Sequence, residues 1–140
     1  LSVNRIKAQA HKAKPQKHPD GEPSIFCQLM AGLQGQELAR VFRRPCTSDS
    51  NRWWFTVFEG EGALDCGGPF RDTLTLCAME TMSNALPLFL PSPNNVNNTG
   101  PNRDCFVPRS AATSPAARRA YRFFGHLLGG AARTDETLPL

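Results

Sequence analysis

The amino-acid sequence predicts an α+β fold that is mostly helical and carries short antiparallel strands. Four segments have helical spacing of apolar residues, and shorter strand-like runs lie between them. The chain has 140 residues, of which 40% are hydrophobic, and contains 12 prolines and 11 glycines. That length suits one domain, and the prolines and glycines mark the turns between its elements.

The first 23 residues form a basic region that we expect to precede a domain spanning residues 24–140. Residues 1–14 are predicted to be a short polar helix, and 15–23 a linker rich in helix-breaking residues. Five basic residues come before the first acidic one, namely Arg5, Lys7, Lys12, Lys14 and Lys17. A basic arm attracts nucleic acid, but no aromatic side chain is interleaved here to stack on bases. We therefore expect a solvated helix or linker and no nucleic-acid partner.

Ser24 is predicted to cap a helix that extends through Gln36. Its apolar stripe comprises Ile25, Phe26, Leu29, Met30, Gly32 and Leu33. A loop over residues 43–51 then leads into a strand over residues 53–58. Both faces of that strand are apolar, so we expect it to be covered on both sides.

An acidic, glycine-rich turn follows this strand and is predicted to open a second long helix. Pro69 has its φ angle preset for a first helical turn, where no N–H donor is needed. The helix is predicted over residues 69–84. Its buried face is expected to contain Phe70, Leu74, Cys77, Ala78 and Thr81.

Two short strands, 86–90 and 105–107, are predicted to pair as an irregular hairpin around an exposed loop, 92–102. The last helix is predicted to start at Ser114-Pro115, a cap followed by proline, and to end near Arg133. Its shared face is expected to be Tyr121, Phe124, Gly125, Leu128 and Ala132. Gly125 and Gly129 are predicted to leave a notch into which a neighbouring helix packs.

Composition limits the classes of function that remain open. No run approaches the roughly 20 apolar residues of a membrane span, so we expect no membrane partner. The chain begins without a signal-peptide core, and its five cysteines are irregularly spaced, which favours a reducing, cytoplasmic setting. The three histidines are scattered and no Cys-x-x-Cys occurs, so no metal or other cofactor is predicted.

The run from Val57 to Asp72 resembles a specific family. HECT ubiquitin ligases carry a similar pattern near the start of their catalytic domain. It consists of an aromatic or aliphatic strand end, then Gly-Glu, then Asp-x-Gly-Gly, and then Arg with an acidic residue. Asp72 is a small departure, because the family usually has Glu there. Further blocks resemble the HERC-like branch in the same order: Leu86-Pro87-Leu88-Phe89, Pro91-Ser92-Pro93-Asn94, Gly100 to Phe106, Tyr121 to Gly125, Leu127-Leu128-Gly129 and Arg133-Thr134.

This resemblance covers residues 24–140 and implies the N-terminal part of a HECT N-lobe, an incomplete domain. It implies an intact protein that accepts ubiquitin from an E2 enzyme as a thioester and transfers it to lysines of a protein substrate. Thiolate chemistry suits such a transfer, because sulfur is both a strong nucleophile and a good leaving group. The alternative is a non-catalytic, HECT-like protein-binding module.

The cysteines of this chain do not match the family's acceptor site. That site lies in a separate lobe within a motif like Leu-Pro-x-Ala-x-Thr-Cys, which is absent here. Cys46 stands in the wrong context, and Cys66 lies in the glycine-rich turn, where we expect a structural role. Cys27, Cys77 and Cys105 are expected to be packing residues. No catalytic residue is therefore predicted, and the chain alone is expected to be inactive.

The turn and its surroundings supply the candidate site residues, in a structural role. The carboxylates of Glu61 or Asp65 are expected to accept backbone N–H groups in the turn or to pair with Arg71 or Arg103. The complete predicted motif comprises Glu61, Asp65, Gly67, Gly68, Arg71 and Arg103. No phosphate-binding loop is predicted, because two acidic side chains here would repel a phosphate.

Overall fold

A computed structural model describes residues 1–42, 52–62, 66–134 and 136–140. About half of the described chain is helical and the strands are short, which confirms the predicted α+β class. The elements, in chain order, are β1 Ser2–Val3, α1 Arg5–Ala13, a 3₁₀ turn Pro15–Lys17, α2 Ile25–Gly32, α3 Leu38–Val41, β2 Val57–Phe58, α4 Gly68–Thr81, β3 Phe89–Pro91, α5 Pro93–Asn97, β4 Phe106–Pro108 and α6 Pro115–Thr134.

The strands form two separate pairs of opposite kind. β3 and β4 are antiparallel, with Leu90 opposite Val107, as the predicted hairpin requires. β1 and β2 are parallel, with Val3 opposite Phe58, a pair that the sequence analysis did not predict. A parallel pair needs a long crossover connection, whereas a hairpin joins neighbours in the sequence. The parallel pair therefore depends on the fold of the intervening chain.

The core lies where α2, α4 and α6 meet, and it is rich in aromatic rings. The ring centroids of Phe26 and Phe123 are 5.2 Å apart, and those of Phe42 and Trp53 are 4.9 Å apart. Phe70, on α4, meets the Trp53 ring at 5.7 Å. All three pairs are edge-to-face, an arrangement that satisfies the ring quadrupoles.

Helix α2 begins as predicted and ends early. The Ser24 side chain accepts a hydrogen bond from the backbone N–H of Cys27 at 3.1 Å, which confirms the predicted cap. The helix stops at Gly32, four residues before the predicted end at Gln36, and Gly35 has a positive φ of 81°. Such a φ lies outside helical geometry and favours glycine. Within the predicted stripe, Gly32 is exposed while Leu33 is buried.

The strand predicted over residues 53–58 is shortened to Val57–Phe58 and covered on one face. Trp54 and Thr56 are buried with Phe58. On the other face Trp53 is buried too, but the Phe55 and Val57 side chains are 58% and 55% exposed. The expectation of cover on both sides was therefore wrong for Phe55 and Val57. The apolar outer face had suggested burial, but no described helix packs over these two side chains.

Helix α4 follows the glycine-rich turn, as predicted. Gly67 precedes it with a φ of 108°, a left-handed conformation that a β-carbon would strain. The predicted buried face, Phe70 with Leu74, Cys77, Ala78 and Thr81, is confirmed in full. The helix ends at Thr81 rather than at residue 84.

The segment predicted as an exposed loop, 92–102, contains the short helix α5. Ser92 caps it by accepting the N–H of Asn95 at 3.1 Å. β3 and β4 begin later than predicted, at Phe89 and Phe106. Cys105 is therefore outside β4 and exposed, so its predicted packing role was wrong.

Helix α6 has the predicted start and end, but a different face is buried. The buried side is formed by Ala120, Phe123, Phe124, Leu127 and Gly130. Gly125 and Gly129 are exposed, and an added β-carbon there would meet nothing within 4 Å, so the predicted helix-packing notch was wrong. The close approach occurs at Gly130 instead, where a β-carbon would lie 3.0 Å from the rings of both Phe42 and Trp53.

The basic N-terminal region lies against the remainder of the fold. Val3, Ala8 and His11 are buried, and the Leu1 backbone nitrogen donates a hydrogen bond to the Phe55 carbonyl. A domain boundary at residue 23 stays a prediction. Among the described helices, the chain offers none of the length and apolarity that crossing a bilayer demands.

Candidate functional site

The acidic turn after β2 holds the N-terminal segment. Glu61 forms a bidentate pair with Arg5, in which Nε donates to Oε1 at 2.8 Å and Nη2 donates to Oε2. The Arg5 guanidinium also lies 4.0 Å from the centre of the Phe58 ring, within cation–π distance. Its Nη1 is 3.9 Å from an oxygen of Asp72. Arg5 therefore joins β2, the turn and the first turn of α4.

Glu59 makes a second set of contacts with the same segment. Its carboxylate accepts hydrogen bonds from the Ser2 hydroxyl at 2.9 Å and the Asn4 side-chain amide at 2.7 Å. These bonds lower the pKa of Glu59, and the bond from Arg5 lowers the pKa of Glu61. Hydrogen bonding to the charged form explains both directions. The two carboxylates are therefore held ionised at neutral pH.

The predicted partners of Glu61 need correction. Glu61 pairs with Arg5 rather than with Arg71 or Arg103. Arg71 instead places Nε 3.6 Å from a carboxylate oxygen of Glu136. Arg103 is exposed and makes no side-chain hydrogen bond or ion pair with a described residue.

The remaining motif residues do not gather around Glu61. Gly67 and Gly68 form the entry to α4, and Asp65 lies outside the described residues. The structure thus brings Glu61 together with Arg5, which the sequence reasoning did not include. A shared structural role for the six predicted residues stays a prediction.

Sequence reasoning also missed a buried carboxylate. Glu80 of α4 is 7% exposed, and its Oε2 accepts the Phe26 N–H at 3.0 Å. The backbone N–H of Ile25 also favours its charged form, so Glu80 caps the N-terminus of α2. Burial raises the pKa of Glu80, and these hydrogen bonds oppose the rise only in part. The signal was present, because Glu80 follows Cys77 by three positions on the predicted buried face.

His11 of α1 is buried as well. Its Nε2 is 2.7 Å from the carbonyl oxygen of Ala85, and its Nδ1 has no hydrogen-bond partner among the described residues. A charged His11 would lower the pKa of Glu80. The interior thus contains two buried polar side chains, one on α1 and one on α4.

The cysteines give little support for a reactive thiol. Burial raises the pKa of Cys27, and it raises the pKa of fully buried Cys77 well above the usual value. Both thiols are therefore protonated at neutral pH, which suits the packing role predicted for them. Cys66 is exposed beside the start of α4, and Cys46 lies outside the described residues.

The described ranges contain no group of three or more His, Cys, Asp or Glu side chains placed to hold a metal ion. The turn binds and orients the N-terminal segment. The contacts join chain positions more than fifty residues apart and use two ionised carboxylates, one guanidinium, a hydroxyl and an amide.

The chain is similar over its whole length to two named proteins. It is 32% identical over 141 aligned positions to the E3 ubiquitin-protein ligase HERC2 of Homo sapiens, and 31% identical to that of Mus musculus. It spans only 3% of the length of these relatives. No protein-family model and no solved structure matches the chain. Sequence similarity therefore relates the whole chain to a segment of an E3 ubiquitin-protein ligase.

Proposed function

We propose that this chain is the N-terminal part of a HECT N-lobe, in the HERC-like branch, and acts as scaffold within a ubiquitin ligase. The intact protein would accept ubiquitin from an E2 enzyme as a thioester and transfer it to lysines of a protein substrate. The observation that carries this proposal is similarity along the entire chain to a named E3 ubiquitin-protein ligase. The HECT-like run also coincides with a strand, a turn and a helix, as the resemblance implies.

A scaffold role agrees with the contacts of the acidic side chains and with the burial of two of the cysteines. Glu59 and Glu61 bind the protein's own N-terminal segment instead of facing an open pocket. Cys27 and Cys77 are held as thiols by burial, which makes them poor nucleophiles. In this proposal the acceptor cysteine belongs to polypeptide other than these 140 residues.

A segment exchange tests the proposal directly. The aligned segment of human HERC2 would be replaced by this chain, and the chimera assayed with E1, E2 and labelled ubiquitin. We expect a reducible ubiquitin adduct and transfer to lysine. The matched pair of chimeras carries Gly129→Leu or Gly130→Leu, and only the second should lose activity, because only Gly130 faces the core. A folded chimera that forms no adduct would refute the proposal.

The alternative is a non-catalytic, HECT-like protein-binding module, and an open cleft between α2 and α6 favours it. The same assay on the 140-residue chain alone should yield no reducible ubiquitin adduct under either reading. An adduct that disappears when one of the five cysteines becomes serine would contradict both, because neither places the acceptor here. The segment exchange then separates them, since a binding module need not support transfer.

A further inference from the structure

A cleft of about 840 Å³ opens between the C-terminal end of α2, the loop that follows it, and α6. Leu33 and Phe123, which are buried, lie at its base, and the half-buried side chains of Met30 and Leu38 give it an accessible apolar part. Arg119 and Arg122 line the α6 side. The volume falls within the range of about 300–1,000 Å³ that is usual for binding pockets.

The two arginines give the cleft a net positive charge that the described residues do not balance. Arg119 and Arg122 are exposed and make no hydrogen bond or ion pair with a described residue. The acidic side chain that lines the cleft, Glu37, lies 3.8 Å from Arg40 and so has a cation of its own. Helix α6 contains four arginines and no acidic residue over its described length.

The spacing of these charges suits a peptide that carries carboxylates. Residues three apart on a helix lie on the same face, so Arg119 and Arg122 present neighbouring guanidinium groups. Guanidinium groups bind carboxylates through two parallel N–H bonds, which fixes orientation as well as affinity. An apolar pocket beside such a pair also offers a seat for a large aliphatic side chain.

We propose that this cleft is a docking site for an acidic, amphipathic segment of a partner protein. One leucine-like side chain of that segment would contact the half-buried side chains of Met30 and Leu38, while its Asp or Glu side chains pair with Arg119 and Arg122. This inference goes beyond the scaffold role and holds whether or not the intact protein transfers ubiquitin. A nucleic acid is disfavoured as the occupant, because Phe123 is 2% exposed and offers no face for a base to stack on.

The experiment selects peptides from a phage-displayed library of random dodecamers on the full 140-residue chain. We expect enriched sequences to combine Asp or Glu with Leu, Ile, Met or Phe. Fluorescein-labelled versions of the enriched peptides are then measured by anisotropy. Arg119→Glu/Arg122→Glu should weaken their binding about tenfold or more, because each change replaces an attraction to the peptide's carboxylates with a repulsion.

The matched control is Lys17→Glu/Arg109→Glu, which changes the net charge equally at exposed positions outside the cleft. It should bind within about twofold of the unaltered chain, because rim and distant charges contribute little. If circular dichroism shows that the glutamate variant is unfolded, Arg119→Gln/Arg122→Gln provides the same comparison with a smaller perturbation.

Three results would overturn the proposal. The first is no enrichment, or enrichment of peptides without acidic residues. The second is equal binding to the cleft variant and the control. The third is arginine-dependent binding of a single-stranded oligonucleotide at least as tight as that of the peptides, which would assign the cleft to phosphate.

Discussion

Two regions of this protein use carboxylates to hold distant segments together. The pKa values of those carboxylates shift in opposite directions, because one region is exposed to solvent and the other is buried. At the exposed turn, Glu59 and Glu61 bind the N-terminal segment and have lowered pKa values. In the interior, Glu80 caps α2 and has a raised pKa. All three accept hydrogen bonds. The difference is that burial deprives Glu80 of water, so its charge costs more than the hydrogen bonds return.

The same comparison extends to the packing around each region. The interior region includes Gly130, against which two aromatic rings lie, while the turn region faces water. Changes in the interior should therefore alter the free energy of unfolding more than changes at the turn.

Gly130→Leu should lower the free energy of unfolding by about 2–3 kcal/mol, because the new side chain overpacks the contact with Phe42 and Trp53. Gly129→Leu is the matched control. Its β-carbon meets nothing within 4 Å, and exchanging glycine for leucine in a helix is favourable by several tenths of a kcal/mol or more, so it should be neutral or stabilising. Urea unfolding followed by circular dichroism measures both. Equal effects would mean that α6 presents a different face to the core.

Glu80→Ala should lower the free energy of unfolding by about 1–3 kcal/mol, because it leaves buried backbone N–H groups at the start of α2 without an acceptor. Glu80→Gln retains a carbonyl oxygen and should cost less. The same urea experiment compares the two. If alanine is tolerated as well as glutamine, Glu80 does not cap α2.

The pH dependence of stability should have opposite signs in the two regions. The folded-state pKa of Glu80 is raised above 4.5, so its contribution is present below that pH and is lost as pH rises through the raised value. The folded-state pKa values of Glu59 and Glu61 are lowered from 4.5. Their contributions to the free energy of unfolding are therefore present above pH 4.5 and are lost as pH falls through the lowered values. Urea unfolding of Glu80→Gln across this range should show a smaller decline above pH 4.5 than the unaltered chain. An unchanged profile would contradict the assignment.

Glu61→Gln should have the smallest effect, a slight fall in the melting temperature, because exposed ion pairs contribute little and are screened by salt. The loss should shrink further in about 1 M salt. Thermal unfolding at low and high salt measures both. A large, salt-independent fall would mean that the pair with Arg5 is buried when the protein is in solution.

The sequence by itself determined the elements whose causes are local. Ser24 and Ser114 cap their helices because a hydroxyl reaches an N–H three residues ahead. The buried face of α4 followed from its helical period. The face of α6 was also readable, because its apolar side chains lie on one side of the helix and its arginines on the other, but the predicted face was centred on Gly125 and Leu128 and so missed Phe123 and Leu127.

Only the tertiary structure decided the contacts between residues far apart in the chain. Arg5 meets Glu61 across 56 positions, and Glu80 meets Phe26 across 54. The parallel pairing of β1 with β2 and the contact at Gly130 are of the same kind. Local patterns carry no information on which distant partner a charge or a glycine will meet. That choice arises when α2, α4 and α6 pack and bring those residues within reach.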